Sequence, residues 1–341
     1  MLYTLSCTHV TATRLTIEEN QEFQLMPFNV INTQHYLTND ARTCLEKNDC
    51  QIIDDSLSDI TEDDFCRTIR GIDAVIAGSE RYTDKVFKAA DKLKIIARTG
   101  AGYDQVDLRA ATKNAVWVTT TPGAGSHAVS DFTIGLILCL LRNIPAMAQE
   151  MKNGEWRQFA GRELSSMTVG VIGAGAIGQE VIKKARGFGA NILAFDVYHD
   201  HAFAENWQIR YVPLDELMAQ SDIVTLHTAL NEHTQGLIDE RRLKLMKKDA
   251  YLVNTSRPDV VVKSALINAL KEKQIAGAAI DVHDPAPCPP GDSLVQLDNV
   301  ISTPWTAYKT EEAIDRMCDT AANDVVSVLK GGAPRFPVNE L

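Results

Sequence analysis

The stretch Thr168–Val181, TVGVIGAGAIGQEV, decides the reading of this chain. An apolar run leads into Gly173-x-Gly175-x-x-Gly178, and AIGQEVIKKARGFG continues with helical periodicity. Three glycines at that spacing are common by chance, but between a strand and a helix they have a physical use. Gly173 permits the tight turn, Gly175 lets backbone N–H groups approach a pyrophosphate, and Gly178 lets the helix press against the strand. The positive end of the helix then faces the phosphates. The next strand closes on Asp196, eighteen residues beyond Gly178. A carboxylate there accepts from both adenosine ribose hydroxyls and repels a 2′-phosphate, which predicts NAD(H) over NADP(H).

Outward from this turn the chain alternates. After it come the strand patterns NILAFD, DIVTLH, AYLVNT, AGAAIDV and NVIS, with helical patterns such as KSALINALKEKQ between them. Before it, FNVIN, CQIID, DAVIAG, LKIIAR and AVWVTT read as strands, separated by NDARTCLEKN, TEDDFCRTIR and DKVFKAADK. Short apolar runs alternating with helices indicate parallel sheets covered on their faces. SDFTIGLILCLLRNIPAMAQEM reads as one long helix capped by Ser130, apolar nearly all round and so buried on every side. A second subunit is the expected cover. The last helix, TEEAIDRMCDTAANDVVSVLKGG, stops at Gly331-Gly332. Residues 1–26 show no clear pattern.

The 341 residues suggest two domains, and the formal charge of −11 argues against a broad nucleic-acid or anionic-membrane surface. An anionic substrate therefore needs a local basic group. FTIGLILCLL is the longest apolar stretch, too short to span a membrane, and the N-terminal sequence lacks a leader pattern. Seven scattered cysteines, an odd number without a C-x-x-C pair, fit free thiols in a reducing cytoplasm. No cluster has the spacing of a metal site.

The segments VGVIGAGAIGQEV, LHTALNEHTQGLI, LVNTSR, AAIDV and NVISTP, in that order, resemble the D-isomer-specific 2-hydroxyacid dehydrogenases. GREL and TAYKTEEAIDRM look most like the D-lactate dehydrogenase branch. The resemblance implies two doubly wound α/β domains, Rossmann-like and flavodoxin-like, with a cleft between them. Residues 1–118 and 307–341 would form a split substrate domain, and 119–306 an NAD-binding domain. Motif by motif, Ala176 and Ile177 would cover the pyrophosphate, Thr228, Ala229 and Thr234 the adenosine side, and Thr255, Ser256 and Asp281 the nicotinamide half. RTGAGYD matches the family's substrate loop, so Gly100, Ala101 and Gly102 would offer N–H groups to a carboxylate. The implied assembly is a cytoplasmic homodimer acting on a small anionic substrate.

Arg257, in NTSR, stands where the family's catalytic arginine lies, and a guanidinium fork can grip a carboxylate at two points. The family's proton donor is a histidine after TP, paired with a glutamate before a proline. Here those positions hold Trp305 and Ala286, and Pro258 replaces the glycine after the arginine. Pro258 should keep Arg257 out of the helical region. The joint loss points to a refitted pocket, since a lone glutamate beside an indole would be costly. Three replacements for the proton donor come into view: His127, His283 and Tyr103. The alternative to a dehydrogenase is an NAD(H)-binding sensor with little turnover.

Overall fold

The computed structural model describes residues 28–55, 60–78 and 80–341, so the unassigned segment 1–26 lies outside the described residues. The first half builds β1 (Phe28–Asn32), α1 (Asn39–Glu46), β2 (Cys50–Asp54), α2 (Glu62–Thr68), β3 (Ala74–Ala77), α3 (Asp84–Ala89), β4 (Ile95–Arg98), α4 (Leu108–Lys113) and β5 (Trp117–Thr119). The strands form a parallel sheet in the order β2-β1-β3-β4-β5. Each covering helix starts at a side-chain cap: Thr38, Thr61, Thr83 and Asp107 accept from backbone N–H groups in the first turn. The strands of β3 and β4 are buried on both faces, as parallel strands between helices must be.

The chain then forms α5 (Ser126–Arg142) and α6 (Ile144–Lys152) before a second α/β unit. That unit comprises β6 (Thr168–Ile172), α7 (Ala176–Gly187), β7 (Asn191–Phe195), α8 (His201–Trp207), β8 (Arg210–Tyr211), α9 (Leu214–Gln220) and β9 (Ile223–Leu226). It continues through α10 (Glu240–Leu243), β10 (Tyr251–Asn254), α11 (Lys263–Lys271), β11 (Gly277–Ile280) and β12 (Val300–Ser302). Its parallel order is β12-β11-β10-β9-β6-β7-β8. The order reverses between β6 and β9, so a crevice opens at their carboxyl ends, where the Gly-rich turn leaves β6.

The final helix, α12 (Glu311–Leu329), returns to the first sheet and buries Cys318, Ala321, Ala322 and Val325 beside Val30, Ala74, Ile76 and Ile95. Behind it Val338 donates to Val118 O at 2.8 Å, tying the C-terminal segment to β5. The helix ends as its sequence indicates: Gly331 adopts φ +84° and Gly332 donates back to Ser327 O.

The long apolar helix departs from expectation. It begins at Ser126, not at Ser130, which lies buried inside α5 and donates to His127 O at 2.9 Å. It also breaks at Asn143, a left-handed residue with Pro145 just beyond, and α6 leaves at 66°. Nor is α5 buried on every side. One face lies in the core with α7 and the second sheet, while Asp131, Gly135 and Arg142 meet solvent. The open apolar surface is further on, at Ile144, Met151 and Trp156, the last 81% exposed. No single helix among the described residues is long and apolar enough to cross a membrane. The six described cysteines are free, and no group of three His, Cys, Asp or Glu among the described residues could hold a metal.

Candidate active site

At the end of β6 the three glycines do three different things. Gly173 has φ +91°, and a Cβ there would lie 2.7 Å from His227 O. A Cβ on Gly178 would come within 1.9 Å of Gly173 O, so α7 can approach β6 only with glycine at that point. A Cβ on Gly175 would meet nothing within 4 Å. Gly175 is therefore not a packing glycine; it leaves the backbone open above the start of α7. No side chain caps α7, so the N–H groups of its first turn, including Ala176 and Ile177, remain for an outside acceptor.

Asp196 stands beside this turn, accepting from Ala174 N at 2.6 Å and Tyr198 N at 3.0 Å. Across the switch point, Thr228 Oγ1 is buried without a partner. His227 shares a hydrogen bond with Thr225 Oγ1, while its Nδ1 is buried and unpaired. Burial pushes the His227 pKa down to about 3, so the ring is neutral. Thr234 donates to Ala229 O at 2.6 Å and accepts from Asn231 N, which shapes the loop after β9. An open helix N-terminus, a carboxylate at the next strand end and an orphaned hydroxyl opposite fit a dinucleotide.

The second group is built after β10. Asn254 holds the turn, donating to Arg257 O and accepting from both Ser256 N and Ser256 Oγ. Thr255 Oγ1 lies 3.1 Å from Thr133 Oγ1 on α5. Arg257 is extended, at φ −141° and ψ 143°, as Pro258 requires. Its guanidinium crosses to the first domain, where Nε donates to Asp104 Oδ1 at 3.0 Å; another arm bonds Ser256 O at 2.9 Å. It lies so close over Gly102 that a Cβ there would fall 1.6 Å from one guanidinium nitrogen. Arg98 supports the same loop from behind by donating to Gly102 O at 3.0 Å. Sequence reasoning passed over Arg98, although it directly precedes the TGAG segment. Gly100 accepts from Thr121 N, and Ala101 and Tyr103 are exposed.

Trp305 meets Arg257. The guanidinium carbon stands 5.7 Å from the indole centroid, within cation–π range. The tryptophan backbone is left-handed, at φ 53°, and its N–H donates to Asp281 O at 2.8 Å. Asp281, expected against the nicotinamide, is buried, and its carboxylate accepts from Thr303 Oγ1, Thr306 N and Ala307 N. It positions the loop that presents the indole. Three short bonds to one carboxylate can hold a residue in this sparsely populated conformation.

His127 has a partner on α7. It is in the first turn of α5, and its Nδ1 turns to Glu180 Oε2 on α7 at 3.3 Å, with most of the ring in solvent. A residue before a helix was expected; the earlier start of α5 aims this side chain at α7 instead. His283 lies nearer Trp305, with Nε2 3.1 Å from Thr303 O. Ala286 is exposed in the loop that follows. Tyr308, three residues past Trp305, packs with Ala124 and Ala128, and burial pushes the Tyr36 hydroxyl well above the usual phenol range.

Residues 134–307 match the family model for the NAD-binding domain of D-isomer-specific 2-hydroxyacid dehydrogenases. A glyoxylate reductase of Korarchaeum cryptofilum is 38% identical over 262 residues, covering 75% of this chain and 79% of that protein. The crystal structure of TT0316 from Thermus thermophilus superposes with a TM-score of 0.84 at 31% identity, covering 91% of this chain and all of the other. A D-lactate dehydrogenase of Aquifex aeolicus, solved with NAD and lactic acid, gives a TM-score of 0.79 at 25% identity, over 89% and 96% of the two chains. These matches, together with the geometry of the Gly-rich turn, show that the chain belongs to the D-isomer-specific 2-hydroxyacid dehydrogenase family.

Proposed function

We propose that this protein passes a hydride between NAD(H) and a small 2-oxo or 2-hydroxy acid, in a cleft walled by Trp305. Residues 119–306 bind the coenzyme, and the described residues up to 118 with 307–341 form the substrate domain. The observation that carries this reading is Arg257, a second-domain cation laid on the first domain's Gly102 and Asp104 within reach of the Trp305 ring. Nothing in coenzyme binding alone requires an arginine there.

The residues divide the work. The open N–H groups of Gly175, Ala176 and Ile177 take the pyrophosphate, and Asp196 takes the adenosine ribose, which favours NAD over NADP. Thr228, Ala229 and Thr234 line the adenosine side, and Thr255 and Ser256 the nicotinamide side. The nicotinamide, when bound, accepts or delivers the hydride. A guanidinium has five N–H donors. Asp104 and Ser256 O occupy two, which leaves a face for the substrate carboxylate. N–H groups of Gly100, Ala101 and Gly102 complete that clamp. Trp305 excludes water and offers an apolar wall, so it sets the size of the substrate's side chain.

The glyoxylate reductases among the relatives make glyoxylate the first substrate to try, with pyruvate and hydroxypyruvate beside it. NADH consumption with any of them, lost in Arg257→Ala, supports the reading. Tight NADH binding without turnover of the whole panel would favour a sensor. The exposed Ile144, Met151 and Trp156 supply an apolar surface for a second copy. We propose a homodimer joined there, in a reducing cytoplasm that suits the free thiols.

A further inference from the structure

The formal charge of −11 obliges an anionic substrate to find its cations locally, and Arg257 is one of them. Arg98, at the carboxyl end of β4, is a second that the division of work above leaves unused. Its side chain ties two loops together. Nε donates to Gly102 O at 3.0 Å, and another guanidinium nitrogen donates to Gly78 O, just past β3. Among the described residues Arg98 has no carboxylate partner; Asp104 pairs with Arg257 instead. Burial pushes its pKa down, but a guanidinium keeps its charge in a protein. Arg257 lies against the same Gly102, so two guanidinia meet at one residue. The substrate loop is held elsewhere too. Val106 bridges Tyr82, with Tyr82 N donating to Gln105 O and Asp107 N to Tyr82 O, and Gly100 O accepts from Thr121 N at 3.0 Å. The peptides after Gly100 and Gly102 are trans, so each N–H points opposite to its C=O. Holding the two carbonyls therefore turns the Ala101 and Tyr103 N–H groups away from Thr121 and Arg98, and neither has an acceptor among the described residues.

We propose that Arg98 is the positioning residue of the substrate's carboxylate site: its fork sets the Gly102–Tyr103 peptide, so that the Tyr103 N–H joins the Ala101 N–H in meeting the anion that Arg257 grips. This rests on the reading above that the cleft takes a 2-oxo or 2-hydroxy acid. Arg98 touches no substrate atom. It acts through Gly102, and its unpaired charge adds to the attraction felt by a carboxylate there. A planar fork reaches two carbonyls in fixed directions, whereas an ammonium is a single point on a flexible stem. With Gly78 O and Gly102 O on one guanidinium, the loops after β3 and β4 are locked to each other. Every residue assigned to the coenzyme lies in the second unit, so a change at Arg98 is felt by the acid and not by NADH.

The test uses the full chain with Arg98→Met and Arg98→Lys, and oxamate as the probe of the carboxylate site. Arg98→Met should raise the oxamate Kd of the NADH-bound protein, and KM for a 2-oxo acid, by roughly 10–10²-fold, the scale of hydrogen bonds to a charged group. NADH affinity should stay unchanged, and kcat should change far less than KM. Arg98→Lys keeps the charge but not the fork, so it should bind oxamate about fivefold more weakly than wild type and more tightly than Arg98→Met. An unchanged oxamate Kd in Arg98→Met overturns the proposal, as does a matching loss of NADH affinity, which a merely structural role would produce. If Arg98→Met does not fold, Arg98→Lys decides: oxamate binding equal to wild type overturns the proposal. A wild type that binds oxamate but turns over no 2-oxo acid defeats the dehydrogenase reading, while weaker oxamate binding by Arg98→Lys still upholds the part given to Arg98. Turnover by wild type with KM unaltered in both variants defeats that part alone. A wild-type NADH complex that binds no oxamate overturns both.

Discussion

The Gly-rich turn after β6 and the loop that carries Trp305 belong to one sheet, yet they differ in kind. The turn meets a fixed geometric demand. Gly178 cannot accept a methyl group against Gly173 O, Gly175 opens onto the helix start, and Asp196 closes the strand beside it. The Trp305 loop is held by one side chain and shaped by others. The Asp281 carboxylate accepts from Thr303 Oγ1 and from the backbone N–H groups of Thr306 and Ala307, and the Arg257 guanidinium lies between Gly102 and the indole. Binding a pyrophosphate admits few solutions, because the ligand is constant. A pocket that meets a changing substrate can be refitted, provided its scaffold is held rigid.

The comparison can be broken most sharply at Gly178. Gly178→Ala should abolish NADH binding, read as loss of coenzyme fluorescence enhancement in a variant whose circular dichroism shows it folded. Its clash is with backbone, which cannot swing aside. Arg257→Ala should lower kcat/KM for a 2-oxo acid by about 10²–10³-fold, the scale of removing a donor aimed at developing charge, with NADH affinity unchanged. Restoring the family pair, Trp305→His with Ala286→Glu, should raise reductase activity by on the order of 10²-fold with pyruvate-type substrates. No gain in a folded, NADH-binding variant would show that the Trp305 seat is not the proton donor's. Asp196→Ala should narrow the preference for NADH over NADPH by about tenfold, the worth of one charge-assisted hydrogen bond; equal affinities in wild type would contradict the role of Asp196.

The same contrast governs what could be read in advance. Glycines at β6, alternating strand and helix runs, and the extended state of Arg257 before Pro258 all follow from local backbone rules. The family motifs placed Arg257 and Trp305 at matching points, and the structure brings them together. What failed depends on tertiary aim. Ser130 looks like a cap, but α5 already starts at Ser126 with no side-chain cap, and His127 in its first turn meets Glu180 on α7. The bracing role of Asp281, which three donors in the following loop share, leaves no local pattern either. Arg98 gave no pattern, since a lone arginine that bonds a backbone carbonyl four residues on leaves no periodic mark.

The most direct test is a crystal structure with NAD+ and oxamate bound. We predict oxamate's carboxylate on the Arg257 guanidinium and the Gly100–Gly102 backbone, with the Trp305 indole in van der Waals contact with the ligand beside the nicotinamide ring. An indole turned to solvent, or a carboxylate held elsewhere with Arg257 still engaged only by Asp104, would contradict the account.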